Sequence, residues 1–334
     1  MMFVMATALT FDVDVDDSRS AWTIQDSCRL LVDQYEALLR EREVQLPAIR
    51  VVVTSEFDST VDFEATKLDA PLAESSLSMG GIGSPHGKTI RNPGWTAATV
   101  VAKVPNQRLD VGQRMGLEKV ISHELAHVAY GAVERDAIGV REEFPFTYPL
   151  AALLAVQGAE EYRVERIGQK VLELQNWYTG PDGSAAVFAD LDRDGLRAAL
   201  PAELDACAAA LGHLSSQCHA ENRIGEEDWL SVFSELQTLL MSVAYTEASS
   251  EGYPSVVSSL SSSASDLLRP LCDRLIDHVK ISHLLPERSN WADDAAELGE
   301  IGVMGCVDVL DRLGIEIDLK TLTGSLSIAT WSPD

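Results

Sequence analysis

Hydrophobic residues recur along most of the chain at intervals of three and four, the spacing that places them on one face of an α-helix. The first such segment, Trp22–Val44, carries Leu30, Leu31, Tyr35, Leu38 and Leu39 at this spacing. From about Val111 the same periodicity continues with few interruptions to about residue 314. It predicts further helices over Leu150–Trp177, Asp194–Leu214, Glu226–Ala248, Ser255–Leu285 and Trp291–Leu313.

Two short runs near the N-terminus have a different pattern, rich in β-branched residues and without helical spacing. They are "IRVVVTSEF" (residues 49–57) and "TAATVVAKVP" (Thr96–Pro105), and each is typical of a buried strand. The Gly-, Ser- and Pro-containing stretch between them predicts a hairpin or a long loop. The order is therefore helix, strand, hairpin or loop, strand, and then helices.

The Gly- and Pro-containing segment Thr179–Ser184, "TGPDGS", is the strongest break within the helical part. We expect it to divide the chain into an α+β domain over residues 1–180 and a mainly α-helical region over residues 181–334. No internal repeat is visible.

Composition excludes several functional classes. The chain has 334 residues, 46% of them hydrophobic, and its 26 basic against 52 acidic residues give a net charge of −26. Such a charge repels nucleic acid and anionic membrane surfaces. The apolar run Pro149–Val156 is far shorter than the roughly 20 residues of a membrane span. The apolar N-terminus lacks the basic start of a signal peptide, and five scattered cysteines fit free thiols, so we expect a cytoplasmic protein.

One short stretch carries recognisable chemistry. "ISHELAHVAYG" (Ile121–Gly131) contains His123-Glu124-Leu125-Ala126-His127, the H-E-x-x-H pattern of zinc peptidases. Residues four apart lie about 40° apart around a helix, so both imidazoles can bind one ion. An apolar stripe should lie away from the histidines, and Gly131 should end the helix; the stripe consists of Leu117, Ile121, Leu125 and Val128.

The glutamate in this pattern has a defined role in zinc chemistry. Zinc acidifies a bound water, and a neighbouring carboxylate takes its proton and later delivers it to the leaving amine. Glu124 lies on the flank of the helix where it can do so. The competing interpretation is that His123 and His127 are ordinary residues of a half-buried helix, and a third ligand distinguishes the two.

A third ligand in the metzincin arrangement is excluded, because that arrangement requires Gly at 130 and His at 133, where the chain has Tyr130 and Val133. A glutamate on a later helix remains. In "EEYRVERIGQK" (residues 160–170), Glu161 is followed four residues on by Glu165, whereas Glu160 is followed by Val164 and falls on an apolar stripe. We therefore favour Glu161 over Glu160. Gly158 and Gly168 lie near the Glu161 face, where they would let two helices approach closely.

The pair "HELAH" and "EYRVERIG" resembles the motifs of the gluzincins, a superfamily of zinc-dependent peptidases. It is similar to the HtpX and CAAX-prenyl-protease type, and the element order is similar to the ImmA/IrrE type. The resemblance covers residues 20–178 and leaves the subfamily open. It implies a zincin-like catalytic domain with a small sheet, an H-E-x-x-H helix and a Glu helix.

The resemblance also implies roles for particular residues. Zn²⁺ would be bound by His123, His127 and Glu161, and Glu124 would be catalytic. Glu165 would orient a ligand imidazole by a hydrogen bond without binding the metal itself. Gluzincins stabilise the transition state with a Tyr, His or Arg, which a later region of the chain could supply. Tyr130, about one turn after His127 on the same face, is a candidate, and packing is its alternative role. The strand "TAATVVAKV" would be the sheet edge along which an extended substrate pairs.

These expectations describe a zinc metallopeptidase that hydrolyses peptide bonds in few protein or peptide substrates, in a regulatory or processing role. The helical region over residues 181–334 would cover the cleft, bind the substrate or hold a partner protein. The alternatives are a non-catalytic binding or scaffold protein with the same fold, and an acidic helical adaptor without metal. No nucleic acid or membrane partner is expected.

Overall fold

The computed structural model describes residues 7–16, 18–40, 42–70, 86–104, 109–133, 149–174, 185–250, 255–281, 291–318, 323–327 and 331. The protein is a mixed α+β structure, mainly helical with a small sheet, as the sequence predicts. It divides into two compact units: residues 1–135 with 164–188, and residues 136–163 with 189–334.

The first unit contains a mixed sheet of four strands in the order β1-β2-β4-β3. Strands β1, β2 and β4 are parallel, and β3 pairs antiparallel with β4. The elements of this unit, in chain order, are β1 (Leu9–Val13), α1 (Ser18–Arg40), β2 (Ala48–Thr54), α2 (Phe57–Lys67), β3 (Gly87–Arg91), β4 (Ala97–Lys103) and α3 (Val111–Val133).

Both predicted strands form, but β4 is not the sheet edge that the family resemblance implied. It lies between β2 and β3 and hydrogen-bonds to both. Its side chains are buried on both faces, and Val100, Val101 and Ala102 are fully inaccessible. Among the described strands, β3 is the one that borders β4 at the outside of the sheet.

The predicted hairpin is present as β3 and β4, joined by the turn Asn92–Thr96. The Asn92 side chain stabilises this turn by accepting hydrogen bonds from the backbone N–H groups of Thr96 and Ala97, at 2.9 and 3.0 Å. The earlier part of the predicted hairpin or loop, residues 74–85, lies outside the described residues. The sequence pattern missed β1 and α2, because β1 has only five residues and the apolar positions of α2 are few.

The H-E-x-x-H segment is helical, as predicted, within α3. Leu117, Ile121, Leu125 and Val128 are buried, but so are most residues around the rest of the helix from Ile121 to Tyr130. The helix is therefore enclosed rather than divided into a buried and an open face.

Gly131 does not end α3, which continues to Val133. The glycine serves close packing instead: a Cβ atom there would lie 1.7 Å from the indole of Trp95. That indole also stacks under the Arg91 guanidinium, whose carbon is 4.0 Å from the ring centre. The turn after β3 thereby packs against α3.

The second unit is built mainly of helices, and the predicted ones form with shifted ends. The predicted helix over 255–285 is interrupted: a short 3₁₀ turn, Val256–Ser259, precedes the α-helix. The remaining elements of the chain, in order, are α4 (Pro149–Leu174), α5 (Ala185–Glu221), α6 (Glu226–Ser249), α7 (Ser262–Ile281), α8 (Trp291–Arg312) and the antiparallel pair β5 (Ile315–Asp318) and β6 (Thr323–Leu326).

Helix α4 contributes to both compact units, and the domain bounds 1–180 and 181–334 stay a prediction. Residues 149–163 group with the later helices, and residues 164–174 group with α3. Gly158 accordingly packs on Leu240 and Leu275 of the second unit; its predicted role beside the histidine helix is wrong. The segment 179–184, predicted as the boundary, lies outside the described residues.

A buried ionic cluster lies within the second unit. Arg163 of α4 donates two hydrogen bonds of 2.7 Å to the carboxylate of Asp294 of α8. His278 of α7 lies 2.9 Å from the same carboxylate and 3.3 Å from Glu297. Burial alone would raise the pKa of Asp294, but hydrogen bonds from His278 and Arg163 outweigh burial and lower it to about 2. The cluster therefore links three helices.

The five cysteines are buried and unpaired. Burial raises the pKa of the Cys28 and Cys306 thiols to about 12, so both thiols remain protonated at neutral pH. Within the described residues, no helix has the length and apolar character required to cross a bilayer.

Candidate metal centre

Three side chains that the sequence singled out as metal ligands lie together. Ligand atoms of His123, His127 and Glu161 all lie within 4.8 Å of one another, and no other such group of three occurs in the described part of the chain. The two imidazoles are one helical turn apart on α3, with ring centres 5.0 Å apart and planes at 80°. Glu161 is 5% exposed.

The donor set fits zinc. Two imidazole nitrogens and one carboxylate oxygen are the ligands of a three-residue catalytic site, which leaves a fourth position for water or substrate. Ligand atoms bound to tetrahedral zinc lie about 3.4 Å apart, and the three candidate ligand atoms lie within 4.8 Å of one another. Glu160, the alternative third ligand, is half-buried and outside the group.

Glu165 orients the first histidine. It lies one turn after Glu161 on α4, and its Oε2 accepts a hydrogen bond of 3.0 Å from Nδ1 of His123. A carboxylate has no proton to give, so Nδ1 is the protonated nitrogen and the lone pair of Nε2 is left for a metal. The other carboxylate oxygen of Glu165, Oε1, accepts a hydrogen bond of 3.0 Å from Gln169 and lies 3.9 Å from the Lys119 ammonium.

Behind His123, helices α1, α3 and α4 meet at the backbone of Ser122. The hydroxyl of Tyr35, on α1, donates a 2.7 Å hydrogen bond to the carbonyl oxygen of Ser122. Burial raises the pKa of Tyr35, and the hydroxyl therefore remains a donor at any physiological pH. Gly168 lies against the backbone of His123, where a Cβ would be 3.6 Å from its Cα. The predicted close approach at Gly168 is thus observed.

Glu124 lies between α3 and the outer strand β3, and it is 8% exposed. The hydroxyl of Thr89 on β3 lies 2.8 Å from Glu124 Oε2 and 2.8 Å from the Glu124 carbonyl oxygen. Gly87, two residues earlier on the strand, faces the same side chain: a Cβ there would be 2.7 Å from Glu124 Oε1. The carboxylate is therefore enclosed by the strand.

Tyr130, the candidate for stabilising the transition state, is buried in α3 three residues after His127 and is 5% exposed. Sequence reasoning missed Tyr35, Gln169, Gly87 and Thr89. Tyr35, Gly87 and Thr89 lie 35 or more residues from the site residues that they contact, so the one-dimensional pattern gave no signal for them. Gln169 follows Glu165 by four residues on the same helix, and that spacing was a signal that could have found it.

Comparison with protein-family models, with curated proteins and with solved structures finds no match to this chain. The candidate site therefore has to be interpreted from its own geometry. The arrangement provides two imidazoles and a carboxylate within 4.8 Å of one another and a second carboxylate that is hydrogen-bonded to one imidazole. A third carboxylate, Glu124, directly follows His123 in the chain.

Proposed function

We propose that the protein is a zinc-dependent metallopeptidase of gluzincin type. The observation that carries this proposal is the convergence of His123, His127 and Glu161 within 4.8 Å, together with the hydrogen bond from His123 to Glu165. An accidental H-E-x-x-H pattern has no reason to bring in a third ligand from another helix or a carboxylate behind the imidazole. The zincin-like identity of the first unit is part of the same proposal.

The side chains then have distinct tasks. His123, His127 and Glu161 hold Zn²⁺, which when bound would act as a Lewis acid toward water and the peptide carbonyl. Glu124 takes a proton from the attacking water and gives it to the leaving amine. Glu165 keeps Nε2 of His123 directed at the ion. Tyr130 is proposed to stabilise the negative charge that develops on the carbonyl oxygen.

The substrate is proposed to be an extended segment of a protein. Strand β3 borders the described sheet and packs beside Glu124, so a peptide paired with it would pass the general base. This moves the pairing edge implied by the family from β4 to β3. The acidic net charge of −26 favours basic partners. A narrow regulatory or processing role, with a partner bound by the helices after residue 181, remains part of the proposal.

Metal analysis is the first test. We expect about one zinc per chain after purification without chelator, and a loss of that zinc in His127→Ala. Less than about 0.3 zinc per chain would contradict the site and favour an acidic adaptor without metal.

Catalysis is tested by comparing wild type with Glu124→Gln on candidate proteins in a lysate. We expect fragments that appear with wild type and are absent with Glu124→Gln, because the amide cannot accept the proton. Glu300→Gln, an exposed position on α8, should cleave like wild type. Full zinc occupancy without any fragment that depends on Glu124 would favour the non-catalytic scaffold.

A further inference from the structure

The strand beside the metal centre presents every second residue to helix α3. Gly87 and Thr89 of β3 both face Glu124, whereas Ile90 points the other way into an apolar cluster with Val52 and Val101. The alternation follows from the pleat of a strand, which sends successive side chains to opposite faces. The pairing register with β4, in which Thr89 lies opposite Val100, decides which residues face the glutamate.

Thr89 holds Glu124 at two points. Its hydroxyl is 2.8 Å from a carboxylate oxygen and 2.8 Å from the main-chain oxygen of the same residue. The hydroxyl has one hydrogen to donate, and an ionised carboxylate is the stronger acceptor of the two. The donated bond removes rotational freedom from a side chain that otherwise has three rotatable bonds.

Gly87 bounds the same carboxylate on its other side. A Cβ at this position would lie 2.6 Å from Val120 Cγ1, 2.7 Å from Glu124 Oε1 and 2.8 Å from Glu124 Cγ. Real Cβ atoms do not approach other atoms so closely, so any side chain here would displace the glutamate. The absence of a side chain at 87 is therefore a requirement of the observed Glu124 conformation.

We propose that Thr89 is a positioning residue for Glu124, and that Gly87 leaves the space in which the carboxylate is held. The inference rests on the proposed peptidase activity for its catalytic consequence, but the contact itself does not depend on that activity. A general base acts only within hydrogen-bonding reach of the proton it removes, and a displacement of about 1 Å can lower a rate about a hundredfold. Thr89 supplies the constraint from outside the helix that carries the base.

The kinetic test uses two substitutions at one position. Thr89→Val keeps the shape and removes the hydroxyl, and we expect a kcat at least about tenfold lower with KM and zinc content unchanged. Thr89→Ser restores the hydroxyl and should recover most of the rate. Wild-type kcat in Thr89→Val, an equal loss in Thr89→Ser, or a loss of zinc in Thr89→Val would each overturn the proposal.

A thermodynamic test separates this inference from the peptidase proposal. In metal-free protein, a double-mutant cycle of Thr89→Val and Glu124→Ala is measured by urea unfolding. We expect the pair to be coupled by at least about fivefold in the unfolding equilibrium constant. Coupling below about twofold overturns the positioning role even if cleavage is found. If the pair is strongly coupled but the protein cleaves nothing, the contact between Thr89 and Glu124 is supported and the proposed peptidase function is contradicted.

The glycine gives an independent check. Gly87→Ala should lower kcat at least as much as Thr89→Val while zinc remains bound. Gly116→Ala is the matched control, because a Cβ at Gly116 meets no atom within 4 Å, and it should retain wild-type kcat. Unchanged kcat in Gly87→Ala would show that the space beside Glu124 is not required and would overturn that part of the proposal.

Discussion

At the scale of single residues, the candidate site depends on which atom of each side chain is left available. The Nδ1 atom of His123 is occupied by Glu165, so Nε2 is the nitrogen that can reach a metal. The carboxylate of Glu165 is held in turn by Gln169 and faces Lys119. This chain of contacts fixes the tautomer and the ring orientation before any ion binds.

Replacing Glu165 tests this arrangement. In Glu165→Gln the acceptor loses its charge, and the preference for a protonated Nδ1 weakens. We expect the Kd for zinc to rise about tenfold to a hundredfold, which competition with a chromophoric chelator measures. Glu160→Gln, on the same helix but outside the group, should leave the Kd unchanged. An unaltered Kd in Glu165→Gln would mean that His123 needs no partner.

At the scale of elements, α4 combines two different environments along one helix. Its C-terminal half brings Glu165 and Gly168 to α3. Its N-terminal half lies among the later helices, where Arg163 is 1% exposed and bound to Asp294. Arg163 is two residues from Glu161, the proposed third ligand, on the same helix.

The cluster predicts a dependence of stability on pH. The pKa of Asp294 is lowered from 3.8 to about 2 by His278 and Arg163, against the opposing effect of burial. A carboxyl whose pKa is lower in the folded than in the unfolded state stabilises the folded state at pH values above the unfolded pKa. This stabilisation disappears as the pH falls toward 2. The free energy of unfolding should therefore decline between pH 4 and 2, and less steeply in Asp294→Asn.

At neutral pH, Asp294→Asn should lower the free energy of unfolding by about 2–3 kcal/mol, because it leaves the buried Arg163 charge without its anion. Urea titrations at pH 7 and at several lower values measure both effects. Asp311→Asn, an exposed position on the same helix, is the control and should behave like wild type. Parallel pH profiles for wild type and Asp294→Asn would contradict the assigned role.

At the scale of the whole molecule, the chain forms two units that are not continuous in sequence, since residues 136–163 group with 189–334. The proposed ligands come from segments well separated in sequence, His123 and His127 on α3 and Glu161 on α4. A metal held by them would bind the folded chain and not the unfolded one. Binding of that kind stabilises the folded state.

Zinc should therefore raise the midpoint of thermal unfolding. With free zinc at a hundred times its Kd, the gain is about 2.7 kcal/mol, and scanning calorimetry with and without buffered zinc measures it. His127→Ala should abolish the gain, whereas His213→Ala, at an exposed histidine of α5, should retain it. An equal gain in both variants would place the metal elsewhere.

Local patterns were sufficient for much of the fold. Apolar residues at helical spacing predicted the long helices, and the β-branched runs predicted β2 and β4. Where the signal was short or weak, as in β1 and α2, prediction failed. It also failed where packing overrode a local preference: Gly131 has the character of a helix terminator, yet α3 continues because its missing side chain accommodates Trp95.

The sequence by itself determined that the histidines share a helix turn, and that Glu161 and Glu165 share a face, because helical geometry converts spacing directly into direction. Only the tertiary structure decided that these side chains come together, that β4 is interior and β3 the outermost of the described strands, and that Thr89 and Gly87 enclose Glu124. Those relations depend on strand register and helix packing between segments tens of residues apart. No local periodicity encodes them, because many packings are compatible with the same pattern of apolar positions.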